Sequence, residues 1–268
     1  GMTARALDPR RHTQLLCSSL IGREVELQAL SRALEGVSEG LGRQIVALAG
    51  EAGVGKTRLL HEWRQADRDT RQDDGVVWLR GACLPYGQKA SAPVIDIVEQ
   101  LLNIEKRDAQ ETRWRKLLAS LAEVVPRSDP DYAKRIAKEA AYLGVFLDLD
   151  LSLKPQLLSK VRSLNDNALR VNIQSSVCGL LAHAARSATV VAILDDLHWA
   201  DEASLDILWY LIEQLPESLA LLFCLVYRPQ KGKGVWHLWQ KVEREYPETD
   251  RQSIVLRELD RAGSRELL

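Results

Sequence analysis

The chain has 268 residues, 46% of them hydrophobic, enough for one large core or for one domain with an appendage. Its formal charge of −1 gives no argument for a nucleic-acid or anionic-membrane surface, and no uninterrupted apolar run approaches the ~18 residues of a membrane span. Cys17, Cys83, Cys178 and Cys224 lie far apart with no CxxC pair, which speaks against a disulfide framework or metal cluster and for a reducing cytoplasm.

Met2-Thr3-Ala4-Arg5 lacks the apolar core of a secretory signal, and Gly1 ahead of Met2 reads as a vector remnant. Residues 1–18 are polar and mixed, the composition of a flexible lead. Leu20-Ile21-Gly22-Arg23-Glu24 then forms a turn, and Val25, Leu27, Leu30 and Leu34 follow at helical spacing.

The run Ile45-Val46-Ala47-Leu48-Ala49 has strand composition, and 58–63 reads as a helix. Between them stand Gly50, Glu51, Ala52, Gly53, Val54, Gly55, Lys56 and Thr57, the spacing of a P-loop in the strand, turn and helix context it requires. A triphosphate presents closely spaced anionic oxygens, so a pocket for ATP or ADP needs many short donors. Glycines let successive N–H groups turn inward, and the following helix, opening at Arg58, adds its unpaired amides and the positive end of its dipole. Lys56 is placed to reach the β- and γ-phosphates, and the Thr57 hydroxyl to ligate Mg²⁺.

A second strand is expected at 76–80, followed by a loop at 81–87 with two glycines and a proline. From 92 to about 164 the pattern is helical, with one apolar face at Val94, Ile97, Val98, Leu101 and Leu102, another at Leu117, Leu118, Leu121 and Val124, and a weaker one over 131–147. A crossover between parallel strands needs only about a dozen residues, so 88–165 is read as a helical insertion and 165–185 as the crossover helix proper.

Val190-Val191-Ala192-Ile193-Leu194 runs into Asp195-Asp196, a buried parallel strand whose carboxylates open on a site. This is a Walker B strand: Asp195 would hold Mg²⁺ opposite Thr57, and Asp196 would orient or deprotonate the attacking water. Asp201 caps a helix over 202–214, His198 is either structural or a γ-phosphate sensor, and Trp199 is read as packing. A fourth strand over 219–227 ends in Arg228, a cation placed to contact the γ-phosphate. A helix over 232–246, a fifth strand at 253–256 and the start of a truncated helical lid at 259–268 complete the reading.

The boxes LIGRE (20–24), GEAGVGKT (50–57), GACLPYG (81–87), ILDDLHWAD (193–201) and VYRP (226–229) resemble the nucleotide-binding module of the STAND signalling ATPases. More closely, they resemble AAA-type modules of bacterial regulators that carry LuxR-type DNA-binding or adenylate/guanylate cyclase domains. The resemblance covers about 20–268 and implies an α/β P-loop NTPase three-layer sandwich over 19–258, with a five-stranded parallel sheet in the order 5-1-4-3-2. It also implies that Ile21 and Gly22 contact the adenine, that Arg23 and Glu24 fix that segment, and that ATP/ADP exchange is a switch reset by slow hydrolysis. Protein partners would meet the insertion or further C-terminal domains, with oligomerisation in the active state; this piece itself is expected to contact neither nucleic acid nor membrane. Two departures stand out: Asp196 occupies a position where faster ATPases of the class carry glutamate, and the chain ends before the lid and winged-helix region. The competing readings are a metabolic P-loop enzyme such as a small-molecule kinase, and a scaffold that ignores nucleotide.

Overall fold

The computed structural model describes residues 22–71, 75–85, 89–230, 232 and 234–258. The expected lead at 1–18, Ile21 and the lid start at 259–268 lie outside the described residues.

In chain order, α1 (Glu24–Ser38) leads into β1 (Gln44–Gly50), α2 (Lys56–Arg71) and β2 (Val76–Ala82). Four helices follow, α3 (Ala92–Leu101), α4 (Gln110–Val124), α5 (Tyr132–Phe146) and α6 (Pro155–Arg162), before α7 (Asp166–Ser187) crosses back to β3 (Thr189–Asp195). The chain continues through α8 (Glu202–Gln214), β4 (Leu221–Tyr227), α9 (Gly234–Glu245) and β5 (Arg251–Leu256). All strand pairs are parallel, in the order β2-β3-β4-β1-β5, which is the expected 5-1-4-3-2 read from the other edge.

Strand alternation builds the three layers. Ile45, Ala47 and Ala49 of β1 join a core with α3 to α9, whereas Val46 and Leu48 point to the opposite core with Leu30, Leu34, Leu59 and Trp63 of α1 and α2. β3 and β4 are covered on both faces, which is why they read as unbroken apolar runs. Each large side chain fully buried here, such as Trp63, Trp114 or Phe223, contributes about 1.5–3 kcal/mol of burial free energy.

Several boundaries differ from the sequence reading, each for a local reason. β2 extends through Gly81 and Ala82, because its ladder with β3 continues to the Ala82–Asp195 pair. Gly81 is required there: a Cβ would lie 1.8 Å from Pro93 O, so α3 can approach the strand only over a glycine. β4 starts at Leu221 rather than 219, since Leu219 N closes a turn on Pro216 O. Asn165 caps α7 by accepting from Ala168 N, and Asp201 caps α8 by accepting from Ser204 N, as their residue types predict. No helix among the described residues is long and apolar enough to cross a membrane.

Candidate functional site

β1 delivers the chain into the loop 51–55 at the carboxyl edge of the sheet, and α2 leaves it with Lys56 as its first residue. Gly53 and Gly55 adopt φ values of +80° and +96°, and a Cβ at either would meet nothing within 4 Å. Their open sides leave the loop backbone uncovered, as a cradle for phosphate oxygens requires. Lys56 is 9% exposed and donates from Nζ to Gly50 O at 2.7 Å and Glu51 O at 2.9 Å. Burial lowers the pKa of its ammonium, with Arg228 pushing the same way, while Asp196, Asp195 and Glu51 pull it up. Lys56 therefore lies within the electrostatic reach of both carboxylates and of Arg228.

β3 supplies the facing edge. Asp195 is 4% exposed; its Oδ1 accepts from Asp196 N at 2.8 Å and its Oδ2 from Arg80 Nη2 at 2.5 Å. Asp196 has left the strand and sits in the left-handed region at φ 55°, ψ 34°, which turns its side chain outward, where it is 46% exposed. A 3₁₀ turn over Leu197–Trp199 then buries His198, with Nδ1 3.8 Å from Asp196 Oδ1. Neither ring nitrogen of His198 has a hydrogen-bond partner among the described residues. Burial, with Arg228 next, lowers its pKa, so the imidazole is neutral near pH 7. The same turn leaves Trp199 40% exposed, with its ring against His198 at a centroid distance of 5.1 Å.

Arg228 follows the last residue of β4, between β1 and β3 in the sheet, and its Nε is buried without a partner among the described residues. Three strands thus bring Lys56, Asp195, Asp196, His198 and Arg228 to one edge. Glu51, Ala52 and Thr57 are exposed on the loop and first helical turn, with Val54 and Arg58 half-buried beside them. Gly22 is exposed with φ 71°, whereas Arg23 is buried and bound to the main chain of Val54 and Arg257. Arg80 was not singled out from the sequence. The available signal was a single cation in the apolar run 76–80, but its meaning depends on the register that sets Arg80 beside Ile193, two residues before Asp195.

The residues fit a nucleotide. Orphaned donors at Arg228 and His198, a buried ammonium bound only to loop carbonyls, and a glycine cradle all call for a polyanion. For a divalent ion the protein offers Thr57 and Asp195; the described residues hold no group of three or more acidic, His or Cys ligands, so phosphate oxygens would complete its shell.

A parallel sheet in this strand order, with a P-loop leaving β1 and paired carboxylates ending β3, defines a P-loop nucleotide-binding protein. The AAA ATPase domain model matches residues 19–225, and the chain belongs to that family. It is a nucleotide-binding module of the AAA type. It is 28% identical over 191 residues to an uncharacterized protein of Rhizobium meliloti, a match that covers 70% of this chain and 16% of that protein, so the chain spans about a sixth of that relative's length. Similar solved structures include the Orc1 protein of Aeropyrum pernix in complex with DNA (14% identity, TM-score 0.42, 94% of this chain and 50% of that one). A STAND protein of Pyrococcus horikoshii with a tetratricopeptide repeat sensor shows 12% identity and a TM-score of 0.35 over 93% of this chain and 25% of its own. The Walker-type ATPase of Pyrococcus abyssi shows 15% identity and 0.36 over 94% and 60%.

Proposed function

We propose that this chain is the ATP-binding regulatory module of a larger cytoplasmic signalling protein. ATP and ADP binding select between two arrangements, and slow Mg²⁺-dependent hydrolysis resets the switch. One observation carries the reading: the buried donors Lys56 and His198, the half-buried Arg228 with its Nε buried, and an acidic pair (Asp195, Asp196) lie at the same edge as the open glycine cradle of Gly53 and Gly55.

The roles follow from the chemistry of each group. The loop amides from Glu51 to Thr57 cradle the β-phosphate, and Lys56 moves from its carbonyl partners onto the phosphate oxygens. Thr57 and Asp195 hold Mg²⁺, which when bound neutralises charge that develops on the transferred phosphoryl group. Asp196, exposed and turned outward, orients the attacking water and accepts its proton. Arg228 faces the γ-phosphate and distinguishes triphosphate from diphosphate. Gly22 would contact the base, Arg23 anchors that segment, and Arg58 flanks the helix start; for Ile21, outside the described residues, the same role rests on the family resemblance alone. The short reach of Asp196 makes turnover slow, as a timer rather than a motor.

On this reading 19–258 form one nucleotide-binding unit and 88–165 its helical insertion, with α3 to α6 available to protein partners. The match covers 16% of a longer relative, as one module of a larger protein would; the proposed output, control of transcription or cyclic-nucleotide synthesis, rests on the resemblance to signalling ATPases. A small-molecule kinase would need an acceptor site beside the γ-phosphate, a position that this reading gives to Arg228 and His198 instead. Calorimetric titration of ATP and ADP with and without Mg²⁺, paired with a phosphate-release assay on Asp196→Asn, tests the proposal. Retained binding with turnover lost supports it; unchanged turnover rejects the role of Asp196.

A further inference from the structure

We infer that Arg80 sets the metal requirement of this site, by occupying Asp195 in place of a divalent cation until nucleotide brings one in. The inference rests on the nucleotide-site reading above.

Both oxygens of the Asp195 carboxylate are engaged, Oδ1 by Asp196 N and Oδ2 by Arg80 Nη2 at 2.5 Å. A carboxylate whose side chain is 5% exposed has little water to solvate it, so it needs a counter-charge at all times. The Arg80 side chain is 49% exposed, so its guanidinium can swing into solvent and recover hydration at little cost. Asp195 cannot make the matching move. The pair is therefore built to exchange its cation while keeping its anion in place.

The base of the arginine arm is fixed. Gln100 of α3 accepts from Arg80 N at 3.1 Å and donates to Arg80 O at 2.7 Å, capping the open edge of β2 like a missing strand. Only the side chain is left to move. Because Thr57 and Asp195 are the protein's ligands for the ion, a bare divalent cation is a weak competitor for Arg80; a cation already carried by phosphates is a strong one. Arg80 thus couples metal entry to nucleotide entry, and through Gln100 the first helix after β2 is attached to that exchange.

The test uses Mn²⁺ as the probe, followed by electron paramagnetic resonance on protein saturated with ADP. Arg80→Gln should lower the Mn²⁺ concentration at half-saturation by about three- to tenfold, while Arg80→Lys, which keeps the charge, should stay near wild type. Equal or weaker Mn²⁺ binding in Arg80→Gln overturns the exchange. A thermal-unfolding cycle of Arg80→Gln and Asp195→Asn without metal or nucleotide gives a second readout: non-additive shifts in Tm support the ion pair, and additive ones overturn it. Absence of ADP binding in the wild type rejects the nucleotide site and the exchange with it. ADP binding with unshifted Mn²⁺ affinity rejects the exchange alone.

Discussion

Arg23 donates from Nη2 to Val54 O across 3.2 Å and 31 positions of sequence, tying the segment ahead of α1 to the loop between β1 and α2. The same nitrogen donates to Arg257 O just past β5, and Nη1 donates to Glu26 Oε1 at 3.1 Å. One buried guanidinium thus clamps the entry to α1, the P-loop and the exit from the sheet. Arg23→Ala removes these charge-assisted bonds and leaves loop carbonyls unpaired, and should cost about 2–4 kcal/mol in urea denaturation. Hydrogen exchange should speed up in 51–57 more than in β3 or β4, and uniform exchange would place the clamp elsewhere.

Asp196 holds a left-handed backbone at φ 55°, a conformation that costs a side-chain-bearing residue about 1 kcal/mol or more. Asp196→Gly should therefore be at least as stable as wild type while losing phosphate release, since relief of strain and loss of the carboxylate come from the same change. Chemical denaturation beside a turnover assay checks this. A clear loss of stability in Asp196→Gly would mean that the carboxylate holds the turn together.

His198 gives the site a pH signature. Its folded pKa lies below the ordinary 6.5, through burial first and the Arg228 charge second, with Lys56 adding to them and Asp196 and Asp195 opposing. The unfolded chain therefore takes up this proton first as pH falls, so the unfolded state binds more protons and the fold loses stability below about pH 6.5. His198→Gln should lose less stability than wild type between about pH 6.5 and 5, and parallel curves for the two proteins would contradict a neutral imidazole.

Gly81 tests the approach of α3 to the sheet. An alanine Cβ would lie 1.8 Å from Pro93 O, a backbone atom held by its own helix, so helix and strand must separate. Gly81→Ala should destabilise the protein by about 2–4 kcal/mol and loosen the Gln100 bonds to Arg80, measured as faster exchange at the Arg80 amide. A neutral substitution would show that α3 docks elsewhere.

How much was legible follows from where the physics is local. The loop at Gly50 to Thr57 and the carboxylates after Ile193-Leu194 are short-range patterns, and strand order came with the family resemblance. Arg80 was hidden because its role depends on the neighbouring strand's register, and no spacing within β2 reveals that Asp195 lies two residues beyond its partner Ile193, within reach of the guanidinium. Trp199 was read as packing, and its ring does lie against His198; the 3₁₀ turn that sets the pair side by side has no spacing signature in the sequence. Arg23 was expected to fix its segment, but its long-range partners, Val54 O and Arg257 O, are main-chain atoms that a side-chain pattern does not identify.

Calorimetry of Mg²⁺·ADP binding to wild type and to Lys56→Ala tests the central claim most directly, because Lys56 is the buried cation that opens α2 beside the cradle. Loss of a buried charge-assisted contact to phosphate should weaken binding by at least about a hundredfold from a micromolar wild-type value. Equal affinity in the two proteins, with both folded by circular dichroism, would contradict the assignment of this edge of the sheet as the nucleotide site.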